Sequence, residues 1–376
     1  MPARIEWITD DARFASLEPA WRSLTAGDES PFVTHTWFTC WWDAFGGSAR
    51  LSVCTVWDGD ELVAALPLSS SHRRLASLAN DHTPEFRPLA RDAESMRLLL
   101  DAVLASSFGE IHIRAIPASH PCVTLLRELS RGRRIHREEP THISPVIDTS
   151  GELSSYEQRR VPGLKRTRRR RRRLEREREV RFVVEGTPES PLGDQLESRL
   201  QRGLEVEASG WKRRNGTAIL SSPDTTRFYT STARAYDARG ELRLVWLEVD
   251  GRPAAFTLCI EHERRLYALK TGFDESFSTY APGLVLSMYL AEHCFERKLE
   301  SLELLGDAAR WKELLATDSR RHVRSWSYRP RPVPLARYGF RRFGIPAIHA
   351  VEQWLEQRRA DRDAPPPTAP ESPTTA

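Results

Sequence analysis

The segment Tyr267–Arg297 reads YALKTGFDESFSTYAPGLVLSMYLAEHCFER and contains the strongest structural signal in the chain. Its first residues, Tyr267–Lys270, predict an apolar strand that runs into a polar loop, after which Pro282 and Gly283 open a long apolar helix. The first turn of a helix carries unpaired backbone N–H groups and the positive end of the helix dipole. Because glycine lets backbone approach a ligand closely, this strand–loop–helix unit predicts a binding site for a phosphate.

The length and composition of the chain limit the class of protein to which it can belong. A chain of 376 residues favours two domains, each able to bury its own core. The hydrophobic share of 40% and charged share of 29% are typical of a water-soluble protein. The N-terminus lacks the apolar core of a signal peptide, and no run approaches the roughly 18 apolar residues of a membrane span. We therefore expect a cytoplasmic protein without a transmembrane segment.

The cysteines and histidines indicate neither disulfides nor a metal site. The five cysteines are scattered through apolar segments without a C-x-x-C pair, which predicts buried thiols in a reducing compartment. No histidine stands at a spacing typical of metal ligands, so we expect no metal cofactor.

Strand and helix signals alternate along the chain and predict an α+β fold. The hairpin sequences WDGDELVAALPL at Trp57–Leu68 and VDGRPAAFTLCI at Val249–Ile260 share an Asp-Gly turn, which indicates a duplicated unit. We predict an N-terminal domain over 1–149, a C-terminal domain over 150–330, a helical extension over 331–363 and a disordered tail over 364–376.

Three further elements are predicted from periodicity and turn signals. They are one amphipathic helix over Asp10–Leu24, a strand over Ser144–Asp148 and a short helix over Ala308–Leu315.

The order of elements and four motifs resemble the Gcn5-related N-acetyltransferase (GNAT) superfamily, more specifically the double-GNAT group of CelD-type cellulose-biosynthesis proteins, relatives of the FemAB peptidyltransferases. The motifs are EASGWK at Glu207–Lys212, LEVDGRPAAF at Leu247–Phe256, KTGFDESFSTYAPG at Lys270–Gly283 and LLGDAARWK at Leu304–Lys312. The resemblance covers roughly residues 15 to 328. It implies two tandem GNAT-like domains, each a mixed, mostly antiparallel sheet flanked by helices.

The resemblance also implies an N- or O-acetyltransferase that uses acetyl-CoA or another acyl-CoA as co-substrate. The residues expected to bind it are Leu269, Lys270, Thr271, Gly272, Pro282 and Gly283. The loop FSTYAPG replaces the Gln/Arg-x-x-Gly-x-Gly/Ala loop of simple GNAT enzymes. Because FemAB relatives take an aminoacyl group from charged transfer RNA (tRNA), both donors stay open. A non-catalytic scaffold in polysaccharide biosynthesis is a third hypothesis.

Catalysis of acyl transfer needs a base for the acceptor and an acid for the departing thiolate. Glu207 is the candidate base and Tyr280 the candidate acid, with Asp307 as a further catalytic candidate. Each also has a structural interpretation: Glu207 as a surface carboxylate, Tyr280 as a packing residue and Asp307 as the N-cap of the following helix. Trp211, Lys212 and Lys312 are candidates for binding the acceptor, which the resemblance suggests is a saccharide.

The arginine run Arg168–Arg173 is the most unusual local composition in the chain. Lys165–Arg173 carries eight positive charges in nine positions, and glutamates at Glu175, Glu177 and Glu179 follow. The simplest interpretation is a solvated helix stabilised by ion pairs. The alternatives are contact with an anionic surface, with tRNA or with an acidic polysaccharide. The sequence gives no oligomeric state.

Overall fold

The computed structural model describes residues 3–159, 161–344, 348, 351 and 352, and it confirms the predicted α+β architecture. The predicted tail over 364–376 and most of the predicted helical extension beyond residue 344 lie outside these residues. The strands of the first half are β1 (Arg4–Ile8), β2 (Arg50–Leu51), β3 (Val53–Asp58), β4 (Glu61–Leu66), β5 (Leu68–Ser71), β6 (Arg74–Ser77), β7 (Leu89–Ala90), β8 (Glu110–Pro117) and β9 (Ile135–Asp148). Its helices are α1 (Asp11–Ala15), α2 (Glu18–Leu24), α3 (His35–Phe45), α4 (Ala93–Ala105) and α5 (Pro121–Ser130).

The second half repeats the alternation of helices and strands. Its strands are β10 (Val180–Glu185), β11 (Leu242–Val249), β12 (Arg252–His262), β13 (Arg265–Phe273), β14 (Ser301–Glu303) and β15 (Asp318–Tyr328). Its helices are α6 (Leu153–Arg159), α7 (Val161–Glu177), α8 (Leu196–Ala208), α9 (Trp211–Arg214), α10 (Pro223–Asp237), α11 (Pro282–Glu296), α12 (Arg310–Leu315) and α13 (Pro332–Gly339). Short 3-10 helices lie at Pro31–Val33, Gly193–Gln195, Ile219–Ser221 and Glu275–Tyr280, and a π-helical turn lies at Phe340–Gly344.

Two sheets form among the described residues, the smaller one wholly antiparallel and the larger one mixed. The smaller has the order β1-β3-β4-β7, and the larger has the order β10-β11-β12-β13-β14-β9-β15-β8-β6-β5-β2. Most neighbours are antiparallel, but β6 runs parallel to β8 and β13 runs parallel to β14. The parallel pairs require a crossover, and α4 and α11 supply it in the first and second half respectively.

The two halves are interleaved at the centre of the large sheet. β9, from the first half, lies between β14 and β15 of the second half, and β15 in turn pairs with β8. Ile147 of β9 stands opposite Leu302, and Trp326 of β15 stands opposite His112. Because strands of one half pair with strands of the other, backbone hydrogen bonds fix the relative position of the halves.

The hairpins predicted around the two Asp-Gly turns are confirmed. β3 pairs with β4 and β11 pairs with β12, both antiparallel. Gly59 and Gly251 take positive φ angles of 58° and 74°, which glycine adopts without steric cost.

Two element predictions in the first half are wrong in their bounds. The single helix over Asp10–Leu24 is divided into α1 and α2, because Pro19 in the first turn of α2 cannot supply the N–H that a continuous helix needs. The strand predicted over Ser144–Asp148 begins nine residues earlier, at Ile135. Its first part was missed because it is charged rather than alternating, and Glu139 there pairs with Arg324 of β15 at 2.8 Å.

The core spans both halves, which brings their sheets together around a common centre. Phe32 packs edge-on against Tyr267 with ring centroids 5.3 Å apart, and Trp37 packs against Phe228 at 5.1 Å. The five cysteines are buried and unpaired, as predicted. Burial raises the pKa of the Cys54 and Cys122 thiols to about 12. No helix among the described residues is long and apolar enough to cross a bilayer.

Candidate functional site

A cavity of about 1080 Å³ lies between the two halves. The first half contributes the loop Asn80–Pro84, the end of β8 at Arg114 and Ala115, and Pro140–His142 of β9. The second half contributes residues from α7 to α10, β13, the start of α11 and the turn before it, the loop after β14, α12 and β15. They are Arg170, Glu207, Ser209, Lys212, Tyr229, Ala268–Phe273, Ser278, Ala281, Gly283, Leu284, Leu304–Asp307, Ala309, Trp311, Lys312 and Arg324. Cationic side chains, namely Arg114, Arg170, Lys212, Lys270, Lys312 and Arg324, outnumber the carboxylates Asp81, Glu207 and Asp307.

One wall of the cavity is the C-terminal part of β13. This strand continues to Phe273, three residues beyond the predicted end at Lys270. It pairs with β14 only over Arg265–Tyr267, because β14 ends at Glu303. Past that point the two parallel strands diverge, and Leu269–Gly272 line the cavity along the edge that faces away from β12.

Gly272 allows α8 to pack closely on this strand. A Cβ at this position would stand 2.3 Å from the Cα of Glu207, which no packed structure accommodates without moving the backbone. The residue is inside β13, where it pairs with Phe256 of β12. Gly272 brings Glu207 to the cavity wall.

The start of α11 is open towards the same cavity. Its N-cap, Ala281, has a left-handed backbone with φ 52° and ψ 57°, and no side chain caps the first turn. Pro282 is buried in that turn, whereas Gly283 lines the cavity. The first turn of α11 contains no acidic residue, so the positive end of the helix dipole is not offset by a local carboxylate.

Lys212 is held in place by two acceptors. Its Nζ donates to Glu207 Oε1 at 2.8 Å and to the Thr271 carbonyl at 2.7 Å. The second carboxylate oxygen of Glu207 accepts from the Ile219 N–H at 3.0 Å. Glu207 is buried. Because it accepts both of these hydrogen bonds, its carboxylate links α8 to α9 and to the turn at Ile219. The surface position considered for Glu207 from the sequence is wrong.

Two further lysines, Lys270 and Lys312, face the cavity, and the protein offsets their positive charge less completely than that of Lys212. Lys270 makes no ion pair with another described residue and lies 5.5 Å from the centre of the Tyr229 ring. Burial, reinforced by Lys212, lowers the pKa of Lys270 although Glu207 opposes the shift. Burial lowers the pKa of Lys312 to about 8, with Asp307 opposing. Unbalanced positive charge in a cavity favours an anionic ligand.

Asp307 lies exposed at the rim of the cavity. Its predicted role as the N-cap of the next helix is wrong, because α12 begins at Arg310 and its N-cap position is Ala309. The Asp307 carboxylate forms no hydrogen bond or ion pair with another described residue. It is therefore available to a ligand.

Among the predicted site residues whose side chains the structure describes, Tyr280 and Pro282 do not line the cavity. The Tyr280 hydroxyl donates to Glu177 Oε2 of α7 at 2.8 Å, on the outer side of the turn before α11. Trp211 begins α9, and its side chain is outside what the structure describes.

Several cavity residues were missed by sequence reasoning. Burial lowers the pKa of His82 to about 4, and Lys270 contributes to the shift. Both ring nitrogens of His82 face hydroxyls of α10, at 3.4 Å from Thr225 and Tyr229. His142 bonds the Pro84 carbonyl at 3.1 Å and stacks on His322. These residues stand in loops and strands of different segments, and only the tertiary fold brings them together.

Comparison with known proteins places this geometry in a fold class. The family model for the acetyltransferase (GNAT) domain matches residues 163–313. No curated protein matches the chain. The fold is similar to that of FemX, with TM-score 0.52, 10% identity, and coverage of 87% of this chain and 97% of that one.

Two further solved structures share the fold. One is the C-terminal domain of a protein from Agrobacterium fabrum described as a lysylphosphatidylglycerol synthetase, with TM-score 0.52, 12% identity, and coverage of 86% of this chain and 94% of that one. The other is L-PGS from Bacillus licheniformis, with TM-score 0.51, 11% identity, and coverage of 89% and 96%.

The molecule thus has the fold of these solved structures, with mostly antiparallel sheets flanked by helices. The acetyltransferase (GNAT) domain model matches most of its second half, and most of the second-half residues that line the cavity lie within the matched range.

Proposed function

We propose that the chain transfers an acyl group from an acyl-CoA, acetyl-CoA in the simplest case, to an amine or hydroxyl acceptor. The observation that carries the proposal is the convergence, in one cavity, of the uncapped start of α11, the free edge of β13 and three lysines. The acetyltransferase-domain match over residues 163–313 supports the reaction type.

The donor is oriented by backbone groups on two elements. The pyrophosphate lies against the first turn of α11 at Gly283, where N–H groups and the helix dipole favour an anion. The pantetheine amides pair with the edge of β13 at Leu269–Thr271. Lys270, which pairs with no carboxylate among the described residues, supplies the compensating positive charge.

Asp307 is the proposed base in the chemical step. It takes a proton from the acceptor ammonium or hydroxyl, after which the nitrogen or oxygen attacks the thioester carbonyl carbon. The carbon–sulfur bond then breaks, and the thiolate leaves and is protonated. Glu207 serves as a positioning residue instead, because Lys212 and the Ile219 N–H already occupy its two oxygens. The acyl carbon gains a bond to nitrogen or oxygen and loses its bond to sulfur, so the transfer needs no oxidant or reductant.

Lys212 and Lys312 are proposed to bind an anionic group of the acceptor. The acceptor class that we propose, a sugar amine or an envelope-polysaccharide precursor, rests on the CelD-like resemblance. Aminoacyl transfer from charged tRNA is the second candidate, and the basic face of α7 next to the cavity favours it.

Isothermal titration with acetyl-CoA and with charged tRNA tests the donor. Gly283→Trp should weaken acetyl-CoA binding at least about tenfold, because a bulky side chain there fills the phosphate site. A Cβ at Gly283 is tolerated, since its nearest neighbour is Phe273 Cδ1 at 3.5 Å, so the variant should fold. Gly151→Trp, on open surface away from the cavity, is the matched control.

A wild-type protein that binds neither donor would overturn the transferase proposal. Asp307→Asn separates binding from chemistry, because it should preserve acetyl-CoA affinity and reduce turnover on any amine acceptor found. Unchanged turnover would remove Asp307 from the catalytic step.

A further inference from the structure

Helix α7 contains the arginine run, and its two faces differ. Leu164, Thr167 and Leu174 are buried on the inner face. Arg171 also points inwards, where it pairs with Glu292 at 2.6 Å and stacks over the Tyr289 ring at 3.8 Å. The run is therefore not a uniform solvated segment, since part of it fastens α7 to α11.

A small basic groove of about 360 Å³ lies between α7 and the turn that precedes α11. It is lined by Arg166, Arg169, Arg170, Arg173, Thr279 and Tyr280. Arg170 lines the large cavity as well, and Ser278 of the same turn belongs to that cavity. The groove therefore begins where the cavity ends, beside the open start of α11.

The groove has more positive charge than the protein neutralises. Arg168, Arg171 and Arg173 have carboxylate partners on Glu157, Glu292 and Glu177 respectively. In contrast, Arg166, Arg169 and Arg170 form no ion pair with another described residue. Three unpaired guanidinium groups around one concave site repel one another unless an anion joins them.

The residue types indicate a phosphate rather than a membrane surface. A guanidinium presents a fork of N–H donors that matches phosphate oxygens in bidentate fashion. A helix that attaches to a bilayer needs apolar side chains on its exposed face. The outer face of α7, formed by Lys165, Arg168, Arg169, Arg172, Arg173 and Arg176, has none.

We propose that this groove binds the phosphate on the adenosine end of the donor, the 3′-phosphate in the case of an acyl-CoA. The inference rests on the proposed function and extends it. With the pyrophosphate at Gly283, the nucleotide leaves the cavity past Ser278 and Arg170, and the groove is the adjoining cationic site. The same chemistry, a phosphate attached to adenosine, occurs at the 3′ end of a charged tRNA.

Titration of the full chain with CoA and with 3′-dephospho-CoA tests the groove. The wild-type protein should bind CoA at least about tenfold more tightly than dephospho-CoA, because charge-assisted hydrogen bonds are lost with the phosphate. Arg166→Gln/Arg169→Gln, which leaves the cavity-lining Arg170 in place, should abolish that difference while leaving dephospho-CoA affinity unchanged. Arg172→Gln/Arg176→Gln removes the same charge from the outer face and should preserve the difference.

The outcomes separate the groove from the function as a whole. Equal affinities for the two ligands in the wild type would overturn the proposal that the groove binds the phosphate. A difference that survives the groove substitutions would do the same. Neither result would contradict the proposed transferase activity. Absence of binding to either CoA form would overturn the CoA donor itself. If a charged tRNA were then retained by the wild type but not by the groove variant, the phosphate would belong to an RNA donor.

Discussion

The two halves of the molecule contain the same local unit and use it differently. In each, a helix connects two parallel strands: α4 joins β6 to β8, and α11 joins β13 to β14. In each, a residue with left-handed backbone lies near the end of the second strand: Ala115 is two residues before the end of β8, and Leu305 is two residues after the end of β14. Both of these residues line the central cavity.

The starts of the two helices differ in charge. α4 is capped by Asp92, whose carboxylate accepts from the Ser95 N–H at 2.8 Å, and Glu94 follows in the first turn. The first turn of α11 has neither a capping side chain nor an acidic residue. The first half thus fills the anion position with its own carboxylate, whereas no side chain among the described residues fills it in the second half. The contrast shows that the shared fold does not by itself create a site for an anion. It favours the second half as the one that binds the acyl donor.

The largest expected effect comes from the packing that is specific to the second half. Gly272→Ala should lower the free energy of unfolding by about 3 kcal/mol, because the new methyl overlaps the Glu207 backbone. Urea denaturation measures the loss. Gly283→Ala adds the same methyl at a site with 3.5 Å of clearance, and it should be neutral or slightly stabilising. Equal stabilities of the two variants would refute the close contact between α8 and β13.

The sequence was sufficient for the fold class and for the α11 unit. Apolar periodicity, the Asp-Gly turns and the Pro-Gly helix start act locally, so they are readable without tertiary structure. The cavity-lining positions of Lys270, Gly283 and Lys312 follow from that unit and from the loop after β14. These local signals also placed the α11 start within one residue.

The interleaved strands and the first-half wall of the cavity were not predictable. β9 begins in a charged segment that carries no alternation, and its pairing with β14 and β15 joins residues far apart in sequence. Glu207 gave no sign of burial, because its burial depends on Gly272 of a strand more than sixty positions away. His82 and His142 likewise become neighbours of the lysines only through the contact between the halves.

Placing a carboxylate at the start of α11 would make the second half resemble the first. Ala281→Asp should weaken acetyl-CoA binding about tenfold, because the new charge repels the donor phosphates and offsets the helix dipole. Asp and Asn both tolerate the left-handed backbone of this residue, so Ala281→Asn is an isosteric neutral control. The comparison fails if the two variants bind acetyl-CoA with the same affinity in titration calorimetry.

The reciprocal change in the first half should affect stability and not ligand binding. Asp92→Ala removes the N-cap of α4 and should lower the free energy of unfolding by a small, measurable amount. Acetyl-CoA affinity should be unchanged, since Asp92 is outside the residues that line the cavity. Thermal melting and titration of the same sample measure the two quantities. A change in affinity would show that the first half also contributes to the donor site.

The smallest expected effect is a pH dependence that comes from the second half alone. Burial lowers the pKa of Lys312 to about 8, so this lysine is mostly charged at pH 7 and mostly neutral at pH 9. Only the charged form attracts an anion, and a bound anion raises the pKa of Lys312 in return. Affinity for acetyl-CoA or an anionic acceptor should therefore be full below pH 8 and fall as the pH rises through it, by about threefold. Lys312→Met should give a flat profile at the lower affinity, and a wild-type profile that is flat between pH 7 and 9 would exclude Lys312 from anion binding.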